Sequence, residues 1–512
     1  MKLIASALSA LARLGCAACL INSVSAHAAG DCAALASLVL EGATISTVEA
    51  VPAGTFTTPP QIALPSKTYT VPAFCRVALS IAPSALTEVW LPTDTWNTLL
   101  GGWGNGGSTG VVMYDAMASS LNGGYATVSS DLGHQSTAED VSWANGRPDL
   151  VEDFGYNITH AMTVIAKQLV AAYYGTPQTR AYFGGFSAGG RQALMEASRY
   201  PEDYDGINSG APAQNWTRLM DGLVWQSLAV LGDSSLAAYP SADQVNALAA
   251  AVMASCDGLD GLVDGQITDP TACKYDPVAL SCDTSTASTC LSKKQVKAIQ
   301  TLYKPLKNSA GDKLYPAVIH GSEFEWACSF VGTAPYNGYS YLLSQEYFQN
   351  MVYEATSWDF RSFNPDVDVP FADNKLADTL NGSSPNLDAF NARGGKLLLW
   401  HGWSDGLITP LATVDYYNAL KSRYGKSVLN GFAKLYMVPA FGHCGSYGPS
   451  VFDTLSPLRA WVEQGTEPQA ILALQLDSSG AVTRTRPLCP YPKQAVYKGV
   501  GNINLAKNFS CK

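Results

Sequence analysis

Apolar runs of strand length alternate with helix-like segments over the first part of the chain. The strand-like runs are TEVWLP (87–92), WNTLLGGWGNGGSTG (96–110), GYATVSSDLGH (124–134), RAYFGGF (180–186) and YDGINSGAP (204–212). The run at 96–110 passes directly into a glycine-rich loop. Residues 157–175 carry apolar side chains at helical spacing and end at Gly175, a common helix stop. A second helical pattern, RQALMEASRY, follows the strand at 180–186. Such alternation is typical of an α/β fold.

The alternation stops after Ala213 and returns near residue 394. Residues 214–393 are rich in Asp, Asn, Ser, aromatic residues and cysteines, without a steady strand–helix pattern. The pattern then resumes with a strand (394–410), a helix-like segment (411–425), a strand (432–439) and a helix-like segment (451–465). We therefore predict an α/β core formed by residues 29–213 and 394–512, interrupted by an insertion at 214–393.

The N-terminus has the pattern of a secretory signal peptide. Lys2 and Arg13 flank an alanine- and leucine-rich stretch, and Ala26-His27-Ala28 offers a cleavage site. The pattern predicts a signal peptide at 1–28 and a secreted or periplasmic protein. We find no later run of 18 apolar residues, so we expect no membrane span.

The charge balance argues against polyanionic partners. The formal charge is −10, and removal of Lys2 and Arg13 with the signal takes it to −12. A chain this acidic is a poor partner for nucleic acid or anionic membranes. It is compatible with a small, neutral or weakly acidic organic substrate.

Ten of the twelve cysteines lie outside the predicted signal peptide. An even number of cysteines in an exported chain favours disulfide bonds. No C-x-x-C pair with suitable histidine spacing is among them, which argues against a zinc site. The ten are Cys32, Cys75, Cys256, Cys273, Cys282, Cys290, Cys328, Cys444, Cys489 and Cys511.

Residues 185–189, GFSAG, match the G-x-S-x-G pattern of a nucleophile elbow. In this turn a serine sits in a strained conformation between a buried strand and a helix, and small neighbours permit close approach. The segments on both sides have the expected strand and helix patterns. Ser187 is therefore the candidate nucleophile; the alternative is a glycine- and serine-rich loop without chemistry.

A serine nucleophile needs a base and an orienting acid, which follow in the order acid, then histidine, in this fold class. His443 lies in VPAFGHCGSYGP, between a strand and a helix, and is the candidate base. Asp405 follows the buried strand in LLLWHGWSDGLITP and is the candidate acid. A backbone-bonded loop histidine and a turn aspartate are the alternatives. We interpret His401, at the strand end, as a pocket or core residue.

An oxyanion also needs hydrogen-bond donors. The backbone N–H of Ala188 is one candidate. Gly106 or Gly107, in the loop GWGNGGSTG, supplies the other. Taken alone, that loop is only a flexible turn.

The insertion contains a compact acidic loop, CDGLDGLVDGQITDPTAC (256–273). Asp257, Asp260 and Asp264 would repel one another unless a hard cation neutralises them, and calcium prefers such oxygen ligands. The carbonyls of Leu262 and Gln266 are candidate co-ligands. We predict a structural calcium ion; the alternative is a solvated acidic turn closed by a disulfide.

Taken together, these residues resemble the tannase and feruloyl esterase family, which also includes the mono(2-hydroxyethyl) terephthalate hydrolase. The matching stretches occur in one order over nearly the whole mature chain: VPAFCRVALSI, EVWLPTDTWN, GNGG, GFSAGGRQ, YPEDYDGINSGAPA, CDGLDGLVDG, GSEFEW, SWDFRSF, HGWSDGLITP, FGHC and WVEQGTEP. The resemblance implies an α/β-hydrolase core with a large lid, which carries the calcium and covers the acyl pocket. It also implies a Ser187–His443–Asp405 triad acting on esters of aromatic acids.

The resemblance bears on the cysteines as well. Family members usually have a cysteine immediately before the nucleophile, bonded to one that follows the catalytic histidine; here Phe186 occupies the first position. Family-like pairs would be Cys32–Cys75, Cys256–Cys273, Cys282–Cys290 and Cys489–Cys511. Cys328 and Cys444 remain, either bonded to each other or free, and an oxidising compartment favours the bond. Phe186 would supply packing where the usual disulfide lies.

The substrate pocket is the least defined part of this prediction. Candidate lining residues in the insertion and beside Asp405 are Trp326, Phe330, Trp358, Phe360, Arg361, Phe363 and Trp403; singly, each aromatic residue is more typical of a core. Arg361 could bind an acidic substrate group, but a lid carboxylate such as Asp359 or Asp366 is the favoured partner. Hydroxycinnamoyl, galloyl and terephthaloyl esters all remain possible substrates. A short-chain carboxylesterase and a non-catalytic binding protein are rival functions.

Overall fold

The computed structural model describes residues 30–283 and 285–512. The predicted signal peptide at 1–28 lies outside these residues. A helix long and apolar enough to cross a bilayer does not occur in either described range.

A nine-stranded mixed sheet forms the centre of the molecule. Along the sheet the order is β1-β2-β3-β5-β4-β6-β7-β8-β9. Strands β1 to β3 and β5 pair antiparallel, whereas β5, β4 and β6 to β9 pair parallel. The nine strands are β1 Ala43–Val51, β2 Phe74–Ile81, β3 Ala85–Pro92, β4 Leu99–Trp103, β5 Ala126–Ser130, β6 Arg180–Phe186, β7 Gly206–Gly210, β8 Lys396–Gly402 and β9 Ala433–Val438.

Helices cover both faces of this sheet. Twelve α-helices are found in the described residues: α1 Tyr114–Asn122, α2 Pro148–Glu152, α3 Ile158–Tyr174, α4 Ala188–Arg199, α5 Trp216–Leu231, α6 Ala242–Cys256, α7 Lys293–Leu302, α8 Tyr339–Tyr347, α9 Asp368–Leu380, α10 Asp388–Ala392, α11 Pro410–Phe432 and α12 Leu455–Gln464. Helices α5 to α10 all lie between β7 and β8, in the segment predicted as an insertion. We call residues 214–393 the inserted segment.

The apolar residues of the parallel strands belong to two separate buried clusters, one on each face of the sheet. Leu397 and Leu399 of β8 belong to one buried cluster, which includes side chains of α3, α4 and α11. Leu398 points to the opposite face, where it joins Leu458 of α12. Because both faces are buried, the parallel strands are continuous apolar runs rather than alternating ones.

Two predicted helices differ from those observed. The helix expected over 411–425 extends to Phe432, with an interruption at Gly425, whose φ of 69° only glycine adopts readily. The helix expected from 451 begins at Leu455, since Val451–Phe452 form a strand. The carboxylate of Asp453 accepts hydrogen bonds from the N–H groups of Leu455 and Ser456, which fixes the start of α12.

Four small sheets lie outside the central one. Gly54–Thr57 pairs with Thr68–Val71, and Leu306–Lys307 with Lys313–Tyr315. Near the C-terminus, Val451–Phe452, Ile471–Leu476 and Val482–Leu488 form one sheet, and Ala495–Tyr497 pairs with Phe509–Cys511.

Candidate active site

The candidate catalytic residues lie at one edge of the sheet. Ser187 follows β6, Asp405 lies three residues after β8, and His443 lies five residues after β9. These strands are parallel neighbours or near neighbours, so their carboxyl ends share an edge. The loop with Gly106 and Gly107 leaves β4 at the same edge. Four chain segments far apart in sequence therefore meet where parallel α/β sheets usually bind ligands.

Ser187 occupies a strained turn. Its φ of 63° and ψ of −120° lie outside the regions that ordinary residues adopt. The two glycines of the pattern make this turn possible: a Cβ on Gly185 would come within 2.3 Å of Gly189, and one on Gly189 within 2.7 Å of the Asn105 carbonyl. The turn presents the Ser187 hydroxyl beyond the sheet edge, at the N-terminus of α4.

The three side chains form a continuous hydrogen-bonded chain. Ser187 Oγ lies 3.0 Å from His443 Nε2, and His443 Nδ1 lies 2.7 Å from Asp405 Oδ2. The other carboxylate oxygen of Asp405 accepts backbone N–H groups from Leu407 at 3.0 Å and Ile408 at 2.7 Å. The carboxylate is thereby held in one orientation, facing the imidazole.

The electrostatics of these three hydrogen-bonded side chains suit His443 as a general base. Burial opposes ionisation of Asp405, but the charges and hydrogen bonds of His443 and His401 hold the pKa of Asp405 well below its ordinary value. Burial likewise disfavours a charged His443, yet the carboxylate of Asp405 outweighs it and raises the pKa of His443. An ionised Asp405 therefore stabilises the imidazolium that proton abstraction from Ser187 would create.

A second histidine contacts Asp405. His401 is fully buried, and its Nε2 lies 3.1 Å from Asp405 Oδ2 and 3.0 Å from the Ile408 carbonyl. Its Nδ1 lies 2.7 Å from Thr413 Oγ1. Since both Nε2 partners are acceptors, Nε2 carries a proton. The sequence interpretation of His401 as a pocket or core residue missed this contact; only its position, four residues before Asp405, could have suggested it.

The inserted segment contributes a buried carboxylate that sequence reasoning did not single out. Glu325, 3% exposed, accepts backbone N–H groups of His443 at 2.5 Å, Cys444 at 2.8 Å and Gly445 at 2.7 Å. The N–H of Gly406, beside Asp405, also reaches it at 3.4 Å. Glu325 belongs to the stretch GSEFEW, but no periodicity or spacing in the sequence indicated that its carboxylate would contact the loop that carries His443.

An apolar cavity of about 450 Å³ opens beside Ser187 and His443. Helix α5 supplies Trp216, Leu219, Met220 and Leu223, and α8 supplies Tyr339 and Leu343. The remaining lining residues are Gly106, Gly107, Ala138, Phe186, Ala213, Cys328, Leu407, Ile408 and Cys444. None of the lining residues in the described part of the chain is Lys, Arg, Asp or Glu.

The candidate oxyanion groups border the same space. Gly106 and Gly107 line the cavity, and a Cβ on Gly107 would come within 2.8 Å of Ala138. Ala188 is the first residue of α4, where backbone N–H groups have no partner within the helix. The predicted donors therefore border the cavity beside Ser187 or follow Ser187 directly in the chain.

The predicted substrate-binding residues lie elsewhere, which corrects that part of the prediction. None of the seven candidate lining residues borders the cavity in the described part of the chain. Trp326 is fully buried and donates to Ser322 Oγ, whereas Phe360 and Phe363 pack against Tyr341 and Phe348. These three side chains therefore pack inside the inserted segment, whereas side chains of α5 and α8 line the cavity.

Arg361 and Trp403, also predicted to line the pocket, have different surroundings. Arg361 pairs with Asp359, as favoured from the sequence, and also donates to Tyr336 at 2.9 Å. Trp403 borders a separate cavity of about 130 Å³, together with Cys489 and Tyr491.

The structure pairs all ten cysteines in the predicted way. Four disulfides are Cys32–Cys75, Cys256–Cys273, Cys282–Cys290 and Cys489–Cys511. The fifth, Cys328–Cys444, confirms the favoured alternative and ties the inserted segment to the loop that carries His443.

Phe186 packs against the His443 ring at 4.7 Å between centroids and stacks on Trp400 at 5.4 Å. It therefore supports the imidazole by packing.

The acidic loop at 256–273 is folded back on itself. Asp257 accepts the N–H groups of Asp264, Gly265 and Gln266 at 2.8 to 3.2 Å. One oxygen of Asp264 pairs with Arg486, but the other is buried without a hydrogen-bond partner.

Two observations bear on the predicted calcium ion. Within residues 30–283 and 285–512, no three His, Cys, Asp or Glu side chains converge as a ready metal site. The unpartnered carboxylate oxygen of Asp264 is nevertheless the type of ligand that calcium prefers.

Comparison with known proteins agrees with this fold. The family model described as tannase and feruloyl esterase matches residues 70–512. An uncharacterized esterase of Xanthomonas campestris pv. campestris is 34% identical, over 96% of this chain and 92% of its own. The mono(2-hydroxyethyl) terephthalate hydrolase of Piscinibacter sakaiensis is 34% identical, over 80% and 78%. The crystal structure of feruloyl esterase B from Aspergillus oryzae aligns with a TM-score of 0.87 and 28% identity, covering 94% of this chain and 99% of that one.

The fold is thus that of an α/β-hydrolase, and the enzyme class is that of the carboxylic ester hydrolases. Within that class, the chain belongs to the tannase and feruloyl esterase family.

Proposed function

We propose that this protein is a secreted serine esterase that hydrolyses esters of aromatic acids through a Ser187–His443–Asp405 triad and an acyl-enzyme. One observation carries the proposal: Ser187 Oγ lies 3.0 Å from His443 Nε2 and faces a cavity large enough for an aromatic acyl group. The five disulfides support export to an oxidising compartment.

In the first half of the reaction, Ser187 Oγ attacks the ester carbonyl while its proton passes to His443 Nε2. Asp405 stabilises the resulting imidazolium from the opposite side of the ring. The N–H groups of Ala188 and of Gly106 or Gly107 stabilise the oxyanion. When the tetrahedral intermediate collapses, His443 gives its proton to the departing alcohol oxygen, leaving the acyl-enzyme.

In the second half, water replaces the alcohol. His443 takes a proton from this water as it attacks the acyl carbonyl, and the proton then returns to Ser187 Oγ as the acid leaves. Phe186 packs on the imidazole throughout and favours the ring position that serves both halves.

The cavity favours an electrically neutral acyl group. Its polar side-chain groups are those of Ser187, His443 and Tyr339 and the indole N–H of Trp216, and its lining among the described residues offers no Lys or Arg to an ionised carboxylate. Burial, and then Glu139, raise the pKa of Tyr339, so its phenol remains a neutral donor. A hydroxycinnamoyl group, with one or two polar substituents, suits this lining better than galloyl, which has three hydroxyls, or a terephthaloyl monoester.

A panel of esters tests the proposed function directly. Methyl ferulate, methyl gallate, mono(2-hydroxyethyl) terephthalate and p-nitrophenyl butyrate would be compared by kcat/KM, with Ser187→Ala as the inactive control. We expect methyl ferulate to be the best substrate. A preference for p-nitrophenyl butyrate would indicate a short-chain carboxylesterase, and the absence of hydrolysis would indicate a non-catalytic binding protein.

Calcium is proposed as a structural ion. The carboxylates of Asp257, Asp260 and Asp264 and the carbonyls of Leu262 and Gln266 would hold it. Bound there, the ion would neutralise the acidic loop and supply a partner for the buried oxygen of Asp264. It would take no part in ester hydrolysis, which the residues around Ser187 perform.

A further inference from the structure

We propose that Glu325 is a positioning residue for the triad: through its carboxylate, the inserted segment holds the histidine loop against Ser187. The histidine loop is defined here as residues 441–445. This inference rests on the proposed function, because it assigns Glu325 a role through His443.

The Glu325 carboxylate belongs to the inserted segment, but it accepts hydrogen bonds from the two loops that carry His443 and Asp405. Its Oε2 accepts the N–H groups of His443 and Gly406, and its Oε1 accepts those of Cys444 and Gly445. One carboxylate thus joins the loop that follows β9 to the loop that follows β8. Four N–H donors converging on a single side chain stabilise its ionised form.

The loop is shaped to admit this carboxylate. A Cβ on Gly442 would come within 2.1 Å of Glu325 Cδ, so a side chain at position 442 would displace the carboxylate or the loop. The φ of Gly442 is not in the left-handed region, so close approach, and not backbone conformation, requires the glycine.

A second anchor lies on the same turn of the inserted segment. The N–H of Cys328 donates to the Glu325 carbonyl at 2.9 Å, and Cys328 is bonded to Cys444. The disulfide limits how far the loop can move from the inserted segment. The carboxylate fixes the backbone of His443 itself, which the disulfide does not contact.

Glu325 also acts on His443 through its charge. The charged groups facing His443 are Asp405 and, more weakly, Glu325, and both favour the imidazolium. Burial and the charge of Asp405 raise the pKa of Glu325. The other titratable neighbours are His401 and Tyr315 beside Asp405, and Tyr447 beside Glu325; burial raises the pKa of both phenols, which stay neutral. Removing the Glu325 charge should therefore lower the pKa of His443.

A neighbouring glutamate provides a matched control. Glu323 is equally buried, but its carboxylate accepts hydrogen bonds from the Tyr303 hydroxyl and the Gly321 N–H and from none of residues 441–445. Burial raises the pKa of Glu323 to about 7, so glutamine closely resembles its protonated form. Glu323→Gln removes a buried carboxylate from the same turn without touching His443.

The test compares Glu325→Gln with Glu323→Gln in the full-length enzyme, using methyl ferulate between pH 4 and 9. Glutamine keeps one acceptor oxygen and leaves two of the four N–H groups without a partner. We expect kcat to fall roughly ten- to a hundredfold in Glu325→Gln with KM little changed, because a small displacement of a catalytic group is costly. The acid limb of its kcat/KM profile should move to lower pH by several tenths of a unit. Glu323→Gln should match the wild type in both respects.

Each outcome decides the proposal. A folded Glu325→Gln enzyme with wild-type kcat and an unmoved acid limb would overturn it, as would an equal effect of Glu323→Gln. If Glu325→Gln does not fold, Gly442→Ala decides: it displaces the Glu325 carboxylate or the loop without removing a charge, so kcat should fall, and an unchanged kcat would overturn the proposal. A wild-type enzyme that hydrolyses no ester would instead refute the proposed function.

Discussion

His401 Nε2 lies 3.1 Å from Asp405 Oδ2, the same oxygen that lies 2.7 Å from His443 Nδ1. Two imidazoles therefore share one carboxylate oxygen, one of them fully buried and the other facing Ser187. The buried ring is fixed by Thr413 and by the Ile408 carbonyl, so it acts as a rigid donor to Asp405.

Replacing this donor should weaken catalysis in a graded way. His401→Leu removes the hydrogen bond, and we expect kcat to fall roughly ten- to a hundredfold, comparable to the ~1.5–3 kcal/mol that a hydrogen bond to a charged group contributes. His401→Gln keeps an N–H near the same place and should recover part of the loss. Steady-state kinetics of both variants with methyl ferulate measure this; equal kcat in both would argue against the donor role.

The disulfide between Cys328 and Cys444 should contribute to stability more than to catalysis. It joins residues 116 apart, and closing a loop of about 100 residues stabilises a fold by at most roughly 5 kcal/mol. We expect the Cys328→Ser/Cys444→Ser double variant to melt several degrees lower. Well below that temperature it should keep most of its kcat, since Glu325 still holds the loop. Calorimetry and kinetics on the same sample distinguish this result from a large loss of kcat without a change in melting temperature.

The catalytic edge of the fold was predictable from sequence because its signals are local. Ser187, Asp405 and His443 each follow an apolar run of strand length, and parallel strands bring their carboxyl ends together. The bond between Cys328 and Cys444 followed from cysteine pairing and the resemblance.

The cavity and Glu325 were not predictable in this way. Glu325 and the side chains of α5 and α8 that line the cavity belong to the inserted segment, whose packing depends on contacts between distant turns and not on a periodic pattern. Phe360 and Phe363 illustrate the difficulty: an aromatic residue near an active site in sequence is equally suited to the core, where the structure places both.

Removal of calcium should lower stability without abolishing catalysis. The acidic loop lies in the inserted segment, and an ion present at a hundred times its dissociation constant would stabilise the folded state by about 2.7 kcal/mol. Dialysis against a chelator should therefore lower the melting temperature, and calcium should restore it more effectively than magnesium. An identical melting curve with and without chelator would count against the ion.

The charge of the acyl group should determine which of two related esters the enzyme hydrolyses with the higher kcat/KM. Dimethyl terephthalate and monomethyl terephthalate differ by one ionised carboxylate, which would meet no Lys or Arg among the described residues that line the cavity. We expect kcat/KM to be at least roughly a hundredfold lower for the monoester, because desolvating an unpaired carboxylate is costly. Leu343→Arg should narrow the difference, whereas Leu343→Gln, of similar size but neutral, should not. Equal kcat/KM for the two esters in the wild type would contradict this assignment.

The central claim is that Ser187 is the nucleophile that His443 and Asp405 activate. Reaction with an aryl phosphonate, followed by peptide mass spectrometry, tests it most directly. The account predicts one phosphonyl group per chain, located on Ser187, with loss of ester hydrolysis in proportion to labelling and no labelling of Ser187→Ala. A phosphonyl group on another residue, or continued hydrolysis by fully labelled enzyme, would contradict it.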